Sequence, residues 1–394
     1  MNPDKIRKDF PQLNTDYIYL DSAATSLKPK SVIDVVSRYY QTTSANVGRG
    51  IHRPSYLATK DYEEAHKKVK DFVRGKGEII FTKNCTEAIN IVALGLDWRE
   101  GDQVISSYLE HNSNLLPWLV LRKKGVEVIL IGCDQDGFIA LKELEDSITS
   151  RTRLIALSYA SNVLGTIQPV DDIIEIAHKK GVGVLFDGAQ ATPHLELDLN
   201  NLDCDFFAAS GHKMLGPSGT GFLFVKEDAL NYINPCLLGG GTVKDVTRDN
   251  IIYTDDFERY EAGTPHIAGG IGLGAAISYL QQIGMEKIRN HEKKLTAYAI
   301  EKLKSLEGIR IHGPLDPEKK TGVISFSVKD YPSHRVAIIL DEVGHIAVRS
   351  GFHCAFFLVR DILKEDLGTV RASFYLYNLR SEIDRMVDTL KDIL

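Results

Sequence analysis

Between Cys204 and Phe224 the chain reads CDFFAASGHKMLGPSGTGFLF. The apolar run Phe206 to Ala209 breaks into Ser210-Gly211-His212-Lys213, which sets a lysine at the mouth of a buried strand. Lysine amines form imines with carbonyl compounds once a low-dielectric site and neighbouring positive charge lower their pKa. Lys213 is therefore a Schiff-base candidate, flanked by Ser210 and His212 as phosphate-binding donors. A polar loop after a strand accounts for the same residues, and this stretch alone leaves both readings open.

A second residue bears on the choice. Val182 to Phe186 reads as a strand that ends in Asp187-Gly188-Ala189-Gln190. An acid at the end of a buried apolar strand is costly unless a cation meets it. The pyridinium nitrogen of pyridoxal phosphate (PLP) is such a cation, and Asp187 would keep that ring protonated as an electron sink. One further strand and a turn fit between Asp187 and Lys213, so the two can face one pocket from neighbouring strand ends.

The elements that must position these groups alternate. Glu78–Phe81, Gln103–Ser107, Val126–Ile131, Arg153–Tyr159 and Val182–Phe186 read as strands. Val32–Tyr40, Ala58–Arg74, Ser113–Lys123 and Leu141–Ile148 read as helices. This rhythm predicts an α/β fold with a doubly wound parallel sheet, in which ligands sit beyond the carboxyl ends of the strands. Residues just past those ends then matter most: His111, which could lie over a ligand, the stretch Ala160-Ser161-Asn162, and Asp187. At Asn84-Cys85-Thr86-Glu87 a strand turns into a helix, which suits a phosphate and equally a plain capping box of Asn84 with Glu87. The loop Asn46 to Pro54, with Gly48, Arg49, His52 and Arg53, reads as either a surface turn or a mobile loop that carries charge to a site. The small residues of Asp21-Ser22-Ala23-Ala24-Thr25, reached by a short strand Tyr17–Leu20, leave room for a ligand.

Composition narrows the class. At 394 residues, 43% apolar and 25% charged, the chain buries a large core and is expected to form two domains. A net charge of −6 without long blocks of either sign argues against nucleic-acid and membrane-surface partners. The five cysteines are odd in number and widely spaced, with no C-x-x-C pair, so no metal site is expected and a reduced, cytoplasmic compartment is. No apolar run approaches the ~20 residues of a membrane span, and no signal-peptide core is visible.

Ordered motifs then run nearly end to end: YLDSAATS at 19–26, TEAIN at 86–90, SNVLGTI at 161–167 and FDGAQA at 186–191. LDCDFFAASGHKMLGPSGTG follows at 202–221, EAGTP at 261–265, IAVRSGFHCA at 346–355 and RASFYLYN at 371–378. With these the chain resembles the class V aminotransferases of PLP fold type I, and among them the group-II cysteine desulfurases of iron–sulfur cluster assembly. That resemblance implies a large PLP-binding domain (21–273) with a mixed, mostly parallel seven-stranded sheet, and a smaller α+β domain (1–20 with 274–394). It implies Lys213 as the cofactor-linked lysine, Asp187 on the pyridine nitrogen, Gln190 on the ring hydroxyl and His111 stacked on the ring in a catalytic role. Phosphate contacts would come from Cys85, Thr86, Ser210 and His212, with Thr264 reaching in from the second subunit of a homodimer. Arg371 would clamp the substrate carboxylate bidentately. Asn162 would orient it beside the cofactor, and Arg349 and Ala23 would complete the substrate contacts.

Cys354 falls where the family carries its nucleophile. A free cysteine is most often a small buried apolar residue, but this one follows Gly351 and His353 in an expected loop, where His353 or Arg349 would lower its thiol pKa. The chain departs from the family pattern at Phe352, Phe356, Phe357, Asn112 and Gly48. The first three bear on the rigidity of the loop and on thiolate activation, the last two on how a sulfur-accepting partner is met. The expected activity is conversion of L-cysteine to L-alanine, with sulfur held as a persulfide on Cys354 for an acceptor protein. The alternatives are a selenocysteine lyase, or a class V aminotransferase or epimerase-like enzyme in which Cys354 is structural.

Overall fold

The computed structural model describes residues 1–392 and 394. Its centre is a seven-stranded sheet whose strands, in chain order, are β1 (Gly77–Thr82), β2 (Gln103–Ser107), β3 (Glu127–Ile131), β4 (Thr152–Ser158), β5 (Gly183–Asp187), β6 (Phe206–Ser210) and β7 (Gly221–Lys226). Their spatial order is β1-β7-β6-β5-β4-β2-β3, and β7 alone runs antiparallel to its neighbours. Side chains on a strand alternate between faces, and both faces here are covered. Phe206 and Ala208 of β6 enter one core, Phe207 and Ala209 the other; Leu185 of β5 faces the first, Val184 and Phe186 the second. Burial on both sides is why these strands read as continuous apolar runs.

A four-stranded antiparallel sheet forms from β8 (Ile309–His312), β9 (Val323–Val328), β10 (Arg349–Gly351) and β11 (Thr369–Ser373), in the order β8-β9-β11-β10. The N-terminal segment joins it: Ile18–Tyr19 pairs in parallel with Ile346–Ala347, and Asp21 bridges Ser373. The expected division at 273/274 falls inside the uninterrupted helix Ile267–Ile283, which shares its cores with residues of the large sheet. We propose the same two-part division with the join at Gly284, whose φ of 92° turns the chain into the helix Met285–Lys304.

Several helices begin elsewhere than their apolar spacing predicts, and proline explains two of them. The expected helix Ser113–Lys123 is a 3-10 turn (Asn112–Asn114), an α-helix (Leu116–Leu121) and a second 3-10 turn (Arg122–Lys124), because Pro117 cannot donate to the preceding turn. The helix expected from Ala58 starts at Arg53, with Pro54 in its first turn and His52 as its cap. The loop before it therefore ends two residues earlier than the sequence suggests.

The seam between the sheets holds an unusual cation. Lys320 precedes β9, bridges Thr166 in the loop after β4, and is fully buried with no hydrogen-bond partner for Nζ among the described residues. Burial lowers its pKa from 10.5 to about 7. A base whose folded pKa is depressed costs nothing above its unfolded value; the cost grows as pH falls toward the folded value and is constant below it. Lys320→Met is therefore expected to gain on the order of a few kcal/mol at neutral pH and to lose the rise in stability that the wild type shows between about pH 7 and 10. Urea unfolding at both pH values checks this, and a variant no more stable than the wild type at neutral pH would contradict it.

Candidate active site

Where the carboxyl ends of β4, β5 and β6 meet the edge of the second sheet, a cavity of about 300 Å3 opens. Lys213 closes the 3-10 turn Gly211–Lys213 that follows β6, and its side chain lines the cavity. Desolvation lowers its pKa below the usual lysine range, and Asp187 opposes the shift. The turn is tied down from outside: the His212 carbonyl accepts from Ser26 N (2.9 Å), Thr25 Oγ1 (3.1 Å) and Lys28 Nζ (2.9 Å).

Asp187 ends β5, in register with Ser158 of β4 and Ala208 of β6. Its side chain is buried, and Oδ1 accepts from Ala189 N (2.9 Å) and from Cys85 Sγ (3.2 Å). Among the described residues no lysine, arginine or histidine pairs with it. Gln190 donates Nε2 to Ala23 O (2.8 Å) and leaves Oε1 buried without a partner among the described residues. Gly188 between them is required by packing, since a Cβ there would sit 1.9 Å from the Phe207 ring. A carboxylate lacking its cation and an acceptor lacking its donor on one wall fit a ring bearing a protonated nitrogen and a hydroxyl.

The facing wall is the start of the helix Cys85–Gly95. Asn84 Oδ1 caps it by accepting from Glu87 N (3.0 Å), while Glu87 accepts from Lys83 N, one residue short of a reciprocal capping box. Cys85 N donates to Ser210 Oγ (2.9 Å), and Thr86 Oγ1 lies 2.6 Å from Ser113 Oγ. The Cys85 thiol faces Asp187, and burial beside that carboxylate raises its pKa well above the usual thiol range. Cys85 therefore faces the Asp187 side through sulfur, while its backbone N–H is taken by Ser210 Oγ. His111 lines the cavity and also caps the turn Asn112–Asn114, accepting from Ser113 N through Nδ1 (3.0 Å). Burial, then Lys213, pushes its pKa to about 4, and burial does the same for His212, so both rings are neutral.

The second sheet supplies the rest. Arg371 on β11 is buried; it donates Nη1 to Asn162 O (2.9 Å) and pairs through Nη2 with Asp21 Oδ1 (3.3 Å). Arg349 on β10 stands opposite it in register and pairs with Asp21 Oδ2 at 2.8 Å. Asn162 also donates Nδ2 to His353 O (2.8 Å), and Asn112 N donates to Cys354 O (2.7 Å), so the cysteine loop is held from both sides. His353 and Cys354 have φ of 51° and 57°, a left-handed pair that costs non-glycine residues energy. Phe352 and Phe356, whose departure from the family pattern bears on the rigidity of this loop, stack across it with centroids 5.1 Å apart.

One expectation is corrected. His353 does not act as a cation beside the thiol: it is buried, its Nε2 donates to Thr369 O and Oγ1, and burial holds its pKa well below the usual histidine value. Arg349 is turned to Asp21.

All the residues expected at the cofactor or substrate line this cavity except Thr264, which borders separate clefts of about 230 and 640 Å3. Its turn is fixed by Glu261, which accepts from Phe81 N (2.6 Å) and Tyr62 OH (2.7 Å) and pairs with His66 (2.8 Å). Sequence reasoning passed over Asp21 and Glu110. Glu110 is buried and accepts from Ser107, Asn114 and Ser158, which braces the strand ends around His111; desolvation raises its pKa to about 7. An acid inside the YLDSAATS string, and another just before His111, were the available signals.

The model of the family described as aminotransferase class-V matches residues 18–386. A probable cysteine desulfurase of Methanothermobacter thermautotrophicus is 43% identical over 396 residues, 100% of this chain and 98% of the relative. Among solved structures, an apo cysteine desulfurase of Thermococcus onnurineus superposes with a TM-score of 0.95 at 41% identity, covering 100% of this chain and 98% of the other. The Escherichia coli cysteine desulfurase CsdA, in an S-sulfonic acid form, gives 0.92 at 34%, with 100% and 98% covered.

Cys354 is exposed, whereas Cys85 and Cys204 are buried and Cys133 and Cys236 half-buried. Iodoacetamide is expected to label Cys354 first, as peptide mapping reads directly. With His353 neutral, His353→Gln should leave the midpoint of the pH–labelling profile where it is in the wild type; a clear upward move would show that the imidazole activates the thiol after all.

Proposed function

Because the chain belongs to the aminotransferase class-V family, and is within it a cysteine desulfurase, we propose that Cys354 takes the sulfur of L-cysteine at the cavity closed by Lys213. The observation that carries this is the convergence of a half-buried, desolvated lysine, a buried carboxylate with no cation among the described residues, a buried arginine and an exposed thiol on one cavity of about 300 Å3. Pyridoxal phosphate is the cofactor: when bound it supplies the electron sink that stabilises negative charge at the substrate Cα. Lys213 would hold it covalently, Asp187 would meet its ring nitrogen and Gln190 Oε1 its hydroxyl. His111 would cover the ring face. Ser210, His212 and Thr86, at the helix start that Cys85 opens, would hold its phosphate.

Arg371 and Asn162 fix the substrate carboxylate. Lys213 Nζ, whose pKa desolvation lowers, takes the Cα proton and returns a proton to the product. The Cys354 thiolate attacks the substrate sulfur. An S–S bond forms, the C–S bond breaks with its electron pair on the three-carbon fragment, and that fragment takes up protons to leave as L-alanine. The balance is L-cysteine plus a thiol to L-alanine plus a persulfide; no external oxidant or reductant enters until the persulfide is discharged.

The acceptor is proposed to be a protein of iron–sulfur cluster assembly, met at the exposed Cys354, and the compartment to be the reducing cytoplasm, in keeping with five free cysteines. A homodimer with shared sites is proposed because Thr264 sits on a rigid turn outside its own chain's cavity, with exposed Leu237 lining the same cleft and Ile51 and Leu238 also exposed.

The test is product analysis. Wild type with L-cysteine and reductant should yield alanine and sulfide in equal amounts, and Cys354→Ala should lose sulfide release to background. The C–Se bond is weaker and selenolate departs without a thiolate attack, so the same variant should keep much of its selenide release from L-selenocysteine. Full desulfuration by Cys354→Ala would remove the persulfide route. For the dimer, mixing inactive Lys213→Ala and Thr264→Ala proteins should restore activity through the mixed dimer; no recovery despite proven subunit exchange would count against shared sites.

A further inference from the structure

The carboxylate at the end of β5 is held on one oxygen only. Asp187 Oδ1 accepts from Ala189 N (2.9 Å), two residues on in its own turn, and from Cys85 Sγ (3.2 Å), 102 residues back in the chain. Oδ2 accepts nothing among the described residues, although Asp187 lines the cavity, as Cys85 and Ala189 do. Cys85 has little freedom to leave its position. It opens the helix Cys85–Gly95, and its N–H is fixed on Ser210 Oγ at the end of β6 (2.9 Å). The residue before it packs so closely on β7 that a Cβ at Gly221 would lie 2.7 Å from Asn84 Cα. The side chain is buried, and burial, then the Asp187 charge, raises the thiol pKa well above its usual range. Sulfur therefore keeps its proton and donates it.

We propose that Cys85 is a positioning residue that acts through Asp187: its S–H pins Oδ1, so that Oδ2 stands toward the cavity and meets the ring nitrogen of the cofactor. This rests on the reading that Asp187 takes that nitrogen. A donor on a carboxylate favours its charged form, and a charged oxygen of fixed direction favours a proton on the nitrogen it faces. Removing the S–H acts twice in one sense. The charged form loses one of its two donors, and the carboxylate gains freedom to turn Oδ2 aside, so the ring nitrogen gives up its proton more readily and the electron sink weakens.

The experiment reads that nitrogen directly, by solid-state nitrogen-15 NMR of holoenzyme loaded with pyridoxal phosphate labelled at the ring nitrogen, for wild type, Cys85→Val, Cys85→Ala, Cys85→Ser and Asp187→Asn. Wild type should show a protonated nitrogen. Cys85→Val, which fills the space without a donor, and Cys85→Ala should both move the resonance toward the unprotonated position, while Cys85→Ser, which restores a donor, should stay close to wild type. An unmoved resonance in the Val and Ala variants, or a Ser variant displaced as far as Val, reduces Cys85 to a space-filling role and overturns the proposal. Asp187→Asn separates the two levels. An unprotonated nitrogen in the wild type, or an unmoved resonance in Asp187→Asn, overturns the reading of Asp187 and this proposal together; a moved one beside unmoved Cys85 variants overturns this proposal alone. Should the apolar variants fail to fold, infrared spectra of the holoenzyme decide. The S–H stretch that disappears in Cys85→Ser should lie at the lowered frequency of a donating thiol, and a free-thiol frequency overturns the proposal.

Discussion

A carboxylate buried at the end of an apolar strand without a cation of its own is the constraint around which this molecule is arranged. Leaving such a charge unpaired costs several kcal/mol. The chain offsets part of that with two donors, Ala189 N and the Cys85 thiol, and leaves the rest to what enters the cavity. The pairing of β5 with β4 and β6 sets Asp187 beside Ser158 and Ala208, and two residues past Ala208 the chain turns to deliver Lys213. Register fixes this geometry. A one-residue slip of β5 would turn the acid onto the opposite face of the sheet, where packed side chains of the second core await it.

The second constraint is the seam between the two sheets. Arg371 and Arg349 project from a small antiparallel sheet, while their partners Asn162 and Asp21 belong to the loop after β4 and to the N-terminal segment. Ser325 Oγ donates to Val163 O across the same seam (2.6 Å), and Asn162 and Asn112 hold the backbone on both sides of the thiol. The left-handed conformation of His353 and Cys354 is thereby over-determined by hydrogen bonds and the Phe352–Phe356 stack. The thiol is presented by a preformed loop, which favours a reaction whose nucleophile must wait in position for the substrate sulfur.

The fold was legible in the chain because fully buried parallel strands leave unbroken apolar runs and polar residues just past them. Lys213 and Asp187 could be singled out for the same reason: a charge at the mouth of an apolar run is conspicuous. What spacing could not reveal was where helices start, since Pro54 and Pro117 decide that through a missing N–H. Nor could spacing say which groups pair across the seam. Asp21 looks like one small polar residue among several until β11 sets Arg371 against it, some 350 residues away in the chain. His353 looks like an activating cation beside Cys354 until burial and Thr369 make it a neutral, inward-facing ring. Long-range pairing of charges is invisible to periodicity, and here it governs the substrate end of the site.

The central claim, that sulfur passes from L-cysteine to Cys354 in a cavity closed by Lys213, is tested most directly by mass spectrometry of the holoenzyme after brief exposure to L-cysteine without reductant. The account predicts a single added sulfur atom on the peptide containing Cys354, with one alanine released per sulfur retained. Alanine formed with no sulfur on that peptide, or with the added sulfur on another cysteine, would contradict it.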